Sequence, residues 1–257
     1  MIKIFDCCSH PTLTGKFNDY NSTFKSLSST MKKNKIYKAC AMGLDDFEKY
    51  DHIKFINQCN KYKNLVPIAG INPIKNDAKI IKELKLIKKL GFKGVKLHNR
   101  ISNFDLSNKK FISFLKLLEK TNLVCLICCY WHDDISKYQK NDFLHSLIDA
   151  FKKVKKLKTI LVHGGNVRLL EFAELVRSNN TNFLLDLSMT MIKYEGSSID
   201  DDIKFLFKNF DERICVGSDH PEYSHEKFRE RFNFFSKGLT LKKKENIAFK
   251  NLERFFF

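Results

Sequence analysis

The feature that most constrains the fold is a regular alternation of short apolar runs with longer segments of helical periodicity. Eight runs suited to buried strands begin near Ile2, Ile36, Leu65, Gly94, Leu123, Thr159, Asn182 and Arg213. Between them, apolar residues recur at helical spacing, as at Leu144, Leu147 and Phe151. Repeated strand–helix units demand a parallel sheet, and eight of them predict an α/β fold closed into a (β/α)8 barrel, the TIM barrel. An open doubly wound sheet is the alternative.

The chain length agrees with one barrel. The sequence has 257 residues, and a single barrel of this type has about 250. No linker rich in Pro, Gly or Ser and no low-complexity segment divides the sequence. We therefore predict a single domain over residues 1–257.

The lengths of the apolar runs indicate whether the chain can cross a membrane. The longest strongly apolar run, Leu123–Trp131, spans nine residues, about half of what a membrane-spanning helix needs. The segment from Met1 to Asp6 lacks the hydrophobic stretch of a secretory signal. We predict a cytoplasmic protein with no membrane partner. In that reducing compartment the eight cysteines are small buried residues or metal ligands rather than disulfides.

The sequence carries a formal net charge of +17 at pH 7. Such an excess raises nucleic acid or an anionic membrane as a partner. The excess is almost wholly lysine, however, with seven arginines, and arginine is the residue that reads phosphate and guanine bidentately. Lysines such as Lys79, Lys82 and Lys85 follow helical spacing, which is typical of solvated helix faces. We interpret the charge as compositional bias and predict a small-molecule substrate rather than nucleic acid, with a homo-oligomer left open.

Polar residues gather where the predicted strands end. The sets are Cys8-Ser9-His10, Lys96-Leu97-His98, Cys128 to His132, His163-Gly164-Gly165, Asp186 to Ser188 and Gly217 to Pro221. Five of the eight histidines belong to these sets. In a parallel barrel the carboxyl ends of all strands meet at one rim, where active sites lie. The sequence therefore predicts an active site at that rim.

Several motifs occur in the order in which one family has them. They are Gly94-Val95-Lys96-Leu97-His98, His163-Gly164-Gly165, Asn182 to Ser188, Gly217-Ser218-Asp219-His220-Pro221 and Asn251 to Phe256. The chain resembles the amidohydrolase-related family, whose members include lactonases and metal-dependent decarboxylases such as aminocarboxymuconate semialdehyde decarboxylase. The resemblance implies a hydrolase, or a decarboxylase, that acts on a small molecule bearing a carboxylate, lactone, ester or amide.

The resemblance also implies a divalent metal ion, with two altered ligands. Cys8 stands where the family has its first metal-binding histidine, and Cys128 stands where it has another. The implied ligand set is Cys8, His10, Cys128 and Asp219. Because cysteine, histidine and aspartate all bind Zn²⁺, we predict zinc. A site without metal, filled by small cysteines, is the alternative.

The resemblance assigns roles to individual residues. Asp219 binds the metal and accepts a proton from the attacking water, and His163 faces that water or the developing oxyanion. The predicted substrate-binding residues are Lys96, His98, Arg100, Trp131, His132 and His220. Lys96 is either a cation for a substrate carboxylate or a barrel-interior lysine paired with an acid such as Asp186. No function is assigned to His52, His145 and His225, which lie in helical patterns away from the rim.

Three functions are open at this point. The first is hydrolysis or decarboxylation with water activated by the metal and Asp219. The second is metal-independent hydrolysis, as in the lactonase branch of the family, with His163 and Asp219 acting directly on water. The third is a degenerate barrel that binds a partner without catalysis.

Overall fold

The strands of the predicted barrel are present in the computed structural model, which describes residues 2–47, 49–75, 77–130, 142–178 and 182–257. Within these residues one sheet is formed by β1 (Ile4–Ser9), β4 (Ile36–Met42), β5 (Leu65–Gly70), β6 (Gly94–Leu97), β7 (Val124–Cys128), β8 (Thr159–Val162), β9 (Phe183–Asp186) and β10 (Ile214–Cys215). A small antiparallel hairpin, β2 (Lys16–Phe17) and β3 (Tyr20–Asn21), follows β1. Each strand of the large sheet begins within two residues of its predicted start.

The large sheet closes on itself. Neighbouring strands are hydrogen-bonded in the order β1-β4-β5-β6-β7-β8-β9-β10, and the pairs are parallel. Between the last strand and the first, Cys7 N donates to Val216 O at 3.0 Å and Asp219 N donates to Cys8 O at 2.9 Å. The prediction of a (β/α)8 TIM barrel is confirmed, and the open doubly wound alternative is excluded.

A buried carboxylate, Asp6, also joins β1 to the segment after β10. Asp6 Oδ1 accepts hydrogen bonds from Ser218 N at 2.8 Å and from Cys8 N at 3.0 Å. Asp6 Oδ2 accepts from Ser218 Oγ at 2.6 Å and lies 3.0 Å from His225 Nε2. Because Asp6 and Ser218 are 212 residues apart in the sequence, these bonds tie distant parts of the chain together.

The helices surround the sheet, and side-chain caps start several of them. They are α1 (Phe24–Lys33), α2 (His52–Cys59), α3 (Asp77–Leu90), α4 (Asn99–Ser102), α5 (Lys109–Glu119), α6 (Phe143–Phe151), α7 (Leu169–Ser178), α8 (Thr190–Lys193), α9 (Ile199–Asn209), α10 (His225–Ser236), α11 (Leu241–Glu245) and α12 (Asn251–Phe256). A 3₁₀ turn spans His163–Arg168, and a π-helical turn spans Asn246–Lys250. Thr23, Asp51 and Ser224 cap α1, α2 and α10 by accepting a hydrogen bond from a backbone N–H of the first turn.

The C-terminal segment covers the end of the barrel at which the strands begin. Asn251 Nδ2 donates to Asp211 O at 2.7 Å and to Ile214 O, at the start of β10, at 2.8 Å. Phe256 packs against Phe5 of β1 with ring centroids 6.0 Å apart. We call this end, with Asn251 and Phe256, the closed end, and the end where the strands finish the mouth. No helix among the described residues is long and apolar enough to cross a membrane.

Candidate active site

Strand ends deliver buried polar side chains to the mouth. They are Cys8 of β1, Lys96 of β6, Cys128 of β7, His163 after β8 and Asp219 after β10. These residues, far apart in the sequence, come together because parallel strands finish at one rim. These five side chains define the candidate active site.

Cys8, His10 and Asp219 form a close triangle of donor atoms. Cys8 Sγ lies 3.2 Å from Asp219 Oδ1 and 3.4 Å from His10 Nε2, and His10 Nε2 lies 3.2 Å from Asp219 Oδ1. Tetrahedral Zn²⁺ with bonds of about 2.0–2.3 Å holds its ligand atoms about 3.3–3.7 Å apart. His163 also offers a ring nitrogen within 4.8 Å of the ligand atoms of Cys8 and Asp219. These residues therefore fit a divalent metal ion.

Burial and charge set the protonation of this triangle. Burial raises the pKa of the Cys8 thiol well above its usual range, and the Asp219 carboxylate raises it further. Burial alone would raise the pKa of Asp219, but His163 and His10 hold it well below its ordinary value. Cys8 is therefore a thiol that donates to the ionised Asp219. A metal ion that binds Cys8 has to displace this proton.

His163 is held in place by residues at the end of β9. Its Nδ1 lies 3.1 Å from Ser188 Oγ, and its backbone N donates to Asp186 Oδ2 at 3.2 Å. Ser188 Oγ in turn donates to Asp186. Burial lowers the pKa of His163, but the Asp219 carboxylate and the ionised Cys128 raise it above its ordinary value. A histidine oriented in this way can transfer a proton at the mouth near neutral pH.

The turn after β8 depends on its two glycines. His163, Gly164, Gly165 and Asn166 have φ angles of 71°, 59°, 74° and 53°, in the left-handed region that favours glycine. A Cβ atom on Gly165 would lie 2.2 Å from Phe172 Cδ2. The His-Gly-Gly sequence therefore allows a turn tight enough to bring the His163 ring into the mouth.

Cys128 lies beside His163. Among the described residues, the ligand atoms of Cys8, His163 and Asp219 lie within 4.8 Å of one another, and Cys128 is not part of this group. Burial raises the pKa of Cys128, but Arg100, a hydrogen bond with His163 and the charge of Lys96 lower it well below its usual range. Cys128 thus supplies negative charge to the cations around it, and its role as a metal ligand stays a prediction.

Two cations, Lys96 and Arg100, lie at the mouth. Lys96 is 1% exposed, and its Nζ has no hydrogen-bond partner among the residues that the structure describes. Asp186, the alternative partner, instead accepts a hydrogen bond from His163 N. Arg100 lies over the ring of Tyr130, with its Cζ 4.2 Å from the centroid. Because a buried ammonium that makes no hydrogen bond is costly, this arrangement suits a carboxylate that accepts from Lys96.

The fold keeps His98 and His220 neutral. Burial and Lys96 lower the pKa of His98 well below its usual range, while burial and His225 lower the pKa of His220 to about 4. The rings of His220 and His225 stack with centroids 4.7 Å apart. His225 begins α10 but reaches Asp6 inside the barrel, so its predicted position away from the rim is wrong. The α-helical pattern around it gave no sign that its first turn points inward.

The structure adds two residues that sequence reasoning left without a role. Ser188 orients the ring of His163, and its place in a strand-end set was a usable signal. Lys193 of α8 contacts the Tyr130 hydroxyl, and no motif marks it, because α8 is a single short turn. The predicted substrate-binding residues Trp131 and His132 lie outside the described residues.

Fold and site together define a class of protein: a TIM barrel whose mouth combines side chains that could hold a metal ion with buried cations. A family model described as amidohydrolase matches residues 57–257. The chain therefore belongs to the amidohydrolase family, which confirms the resemblance of its sequence motifs. No curated protein matches the chain in sequence.

Solved structures share this fold at low sequence identity. An uncharacterized TIM-barrel protein from Bordetella bronchiseptica has a TM-score of 0.81 at 13% identity, covering 99% of this chain and 98% of that chain. A probable 2-pyrone-4,6-dicarboxylic acid hydrolase from Acinetobacter baumannii, solved with citric acid bound, has a TM-score of 0.73 at 16% identity, covering 99% of both chains. A 2,6-dihydroxybenzoate decarboxylase from Rhizobium has a TM-score of 0.71 at 12% identity, covering 100% of this chain and 99% of that chain. At such identities the likeness shows the fold alone.

Proposed function

We propose that the protein is a hydrolase that cleaves a lactone, ester or amide bond in a small molecule bearing a carboxylate. The observation that carries the proposal is the buried Lys96 ammonium. It has no hydrogen-bond partner among the described residues and acts electrostatically on Cys8 and His163. A buried cation beside groups that transfer protons suits a substrate whose own carboxylate supplies the missing partner.

The structural neighbours support this choice of substrate class. The Acinetobacter baumannii protein is named for a dicarboxylic acid and was solved with citric acid, which is also a carboxylate. The Rhizobium protein is named for the decarboxylation of a benzoate. Both names pair this fold with small carboxylated molecules. Hydrolysis is preferred here because Asp219 is ionised beside a raised-pKa His163, which supplies a proton acceptor and a donor.

The candidate metal site has a defined place in the mechanism. A divalent ion, for which Zn²⁺ suits the mixed donors, would be held by Cys8, His10 and Asp219 and would polarise a carbonyl and acidify water. The ionised Asp219 has a second oxygen, which accepts the proton of the attacking water. His163 then donates a proton to the oxygen or nitrogen that leaves, since Ser188 fixes its ring and Asp219 raises its pKa.

Lys96 and Arg100 bind and orient the substrate. The Lys96 ammonium pairs with the substrate carboxylate, which holds the scissile bond toward Asp219. Arg100, kept in place over Tyr130, adds a second positive charge at the mouth. His98 is neutral, because burial and the charges of Lys96 and Arg100 lower its pKa. It therefore adds no further positive charge that would hold the product.

The experiment compares a carboxylated lactone with its methyl ester. We expect kcat/KM to favour the carboxylate by about a hundredfold or more, because the uncharged analogue leaves Lys96 unpaired. Lys96→Met should bring this ratio close to one, and Asp219→Asn should lower kcat by about 10²–10⁴. Lys88→Met, at the exposed end of α3, is the matched control and should change neither quantity. A substrate preference that survives Lys96→Met would refute the proposal.

A metal-independent form of the same hydrolase is favoured by one observation, the protonated Cys8 thiol at the position of a family ligand. Metal analysis of the purified protein separates the two forms. The metal-dependent form should contain about one equivalent of zinc, lose it in His10→Ala, and lose turnover on chelation. Turnover that persists after chelation, yet disappears in Asp219→Asn, would assign the metal-independent form.

A further inference from the structure

Lysines crowd the closed end of the barrel. The connections that lead from α1, α2, α3, α5 and α6 into the neighbouring strands β4, β5, β6, β7 and β8 lie side by side there, because these strands are adjacent in the sheet. We call their exposed lysines the basic arc. The arc comprises Lys32, Lys33, Lys35, Lys61, Lys63, Lys88, Lys89, Lys93, Lys120, Lys152, Lys153, Lys155, Lys156 and Lys158.

The connections that carry the basic arc contain few carboxylates of their own, although Glu212 of the connection before β10 lines a surface cavity together with Lys158. Residues 33–35, 60–64, 91–93, 120–123 and 152–158 contain no Asp or Glu. Asp149 pairs with Lys152 at 3.2 Å, and Glu119 accepts a hydrogen bond from Lys156 N at 2.7 Å. The connections at the mouth, in contrast, carry acids such as Asp45, Asp46, Asp51, Asp105 and Asp142. A lysine at a helix C-terminus interacts favourably with the helix dipole. That interaction accounts for one or two lysines per helix, but not for the five lysines within residues 152–158.

An apolar cavity opens within the basic arc. It lies between α6 and α7 and has a volume of about 290 Å³. Its apolar lining consists of Leu147, Ile148, Phe151, Val154, Leu175 and Phe183. Lys152 and Lys155 line the same cavity. An apolar floor with ammonium groups beside it is complementary to an acyl chain that carries an anionic headgroup.

We propose that the closed end docks on the surface of a bilayer rich in anionic phospholipid, with the basic arc on the headgroups and the cavity between α6 and α7 on an acyl chain. This is binding at the surface and needs no spanning helix. It replaces the sequence-based interpretation of the charge as compositional bias in a protein with no membrane partner. The mouth, at the other end of the barrel, then faces water and stays open to substrate. Nucleic acid fits less well for two reasons. The arc contains lysine rather than arginine, and a phosphate backbone offers no apolar group to fill the cavity.

Vesicle sedimentation tests the proposal on the full chain. The probe is phosphatidylcholine vesicles with about one third phosphatidylserine, compared with phosphatidylcholine alone. The arc variant carries Lys88→Gln, Lys89→Gln, Lys153→Gln and Lys156→Gln. The control variant carries Lys25→Gln, Lys54→Gln, Lys79→Gln and Lys110→Gln, which remove equal charge from the first turns of helices, toward the mouth. The arc variant should bind at least about tenfold more weakly and the control within about twofold of the parent.

Several outcomes would overturn the proposal. Equal losses in both variants would mean that net charge alone attracts the protein. Equal binding to both kinds of vesicle would mean that anionic headgroups play no part. Absence of vesicle binding, with binding to poly(U) RNA that the arc variant loses, would assign the closed end to nucleic acid. Hydrolysis of the carboxylated lactone in solution is a separate readout, so failure here leaves the proposed function standing.

Discussion

The mouth and the closed end of the barrel differ in how completely their buried polar groups are hydrogen-bonded. At the mouth, Lys96 Nζ and both ring nitrogens of His220 are buried without a hydrogen-bond partner among the described residues. At the closed end, Asn251 makes two backbone hydrogen bonds, and the lysines lie in solvent. Buried polar groups without partners cost stability and persist where function requires them. The contrast supports the mouth as the end at which the proposed chemistry takes place.

The largest effect on stability is expected from Asp6, the carboxylate that joins β1 to the segment after β10. Asp6→Ala leaves His225 and the donors of Ser218 unpaired in the interior, so the free energy of unfolding should fall by about 3–5 kcal/mol. Urea unfolding at neutral pH measures the change. Glu174→Ala, which breaks the exposed pair with Arg177, is the control and should leave the unfolding curve unchanged. Similar curves for the two variants would show that burial of Asp6 has little energetic weight.

Two glycines with positive φ angles sharpen the comparison. Gly165→Ala, at the mouth, forces a Cβ atom into the ring of Phe172 as well as into an unfavourable φ, and should cost about 2–4 kcal/mol. Gly91→Ala, after α3 at the closed end, meets no atom within 4 Å and should cost only about 1–2 kcal/mol for its φ angle. Thermal unfolding of the two variants side by side gives the difference. A Gly91 variant that is the less stable of the two would reverse this assignment.

The neutral histidines of the mouth predict a pH dependence of stability. The pKa of His220 is about 4 in the folded chain, whereas an unfolded histidine titrates at about 6.5. The unfolded chain therefore gains protons that the folded chain does not, and the free energy of unfolding falls as pH drops from about 6.5 to about 4, by up to about 1.4 kcal/mol per pH unit for each such histidine. His98, whose pKa is also lowered, adds to the fall.

Two other groups act outside that window. His163 has a raised pKa, so its contribution is complete below about pH 6.5 and is lost as pH rises through its folded value. Asp6 has a pKa below 3.8, so its contribution is lost only under more acidic conditions. His220→Gln should lower the slope of the unfolding free energy against pH, between about pH 6.5 and 4, by up to about 1.4 kcal/mol per pH unit. Urea unfolding across that range measures the slope. An unchanged slope would show that His220 does not titrate as described.

The smallest effect is a gain. Lys96→Met removes a buried ammonium and keeps most of the side-chain volume, so the free energy of unfolding should rise by about 0.5–2 kcal/mol while activity falls. Lys88→Met, on the exposed face of α3, should change stability by no more than about 0.5 kcal/mol. Urea unfolding measures both. A loss of stability in Lys96→Met would indicate that the ammonium already has a partner.

The fold was predictable because its signal repeats. Each strand, such as β6 with Gly94–Leu97, is a short apolar run followed by helical spacing, and a repeated unit leaves few topologies. The gathering of His10, His163 and Asp219 followed from the same reasoning, since parallel strands end at one rim. The order of the strands was therefore sufficient to predict that these three residues lie close together.

Contacts that depend on non-repeating segments were not predictable. His225 reaches Asp6 because the chain turns inward between β10 and α10, and helical periodicity carries no record of such a turn. Lys193 meets Tyr130 through the four-residue helix α8, which is too short to have a pattern. The neighbours of Cys128 also depend on side-chain directions at the rim, so the sequence could name it as a candidate without saying what it touches.

The bonds between Asp6 and Ser218 have a consequence for biosynthesis. Their partners are separated by 212 residues, so the whole segment from Asp6 to Ser218 has to leave the ribosome before the ring of strands is joined. Until then the outer edge of β1 has no neighbour and is open to pairing with other nascent chains. Proteins that depend on contacts this distant fold slowly, and we expect newly made molecules to need protection from aggregation until that final step is complete.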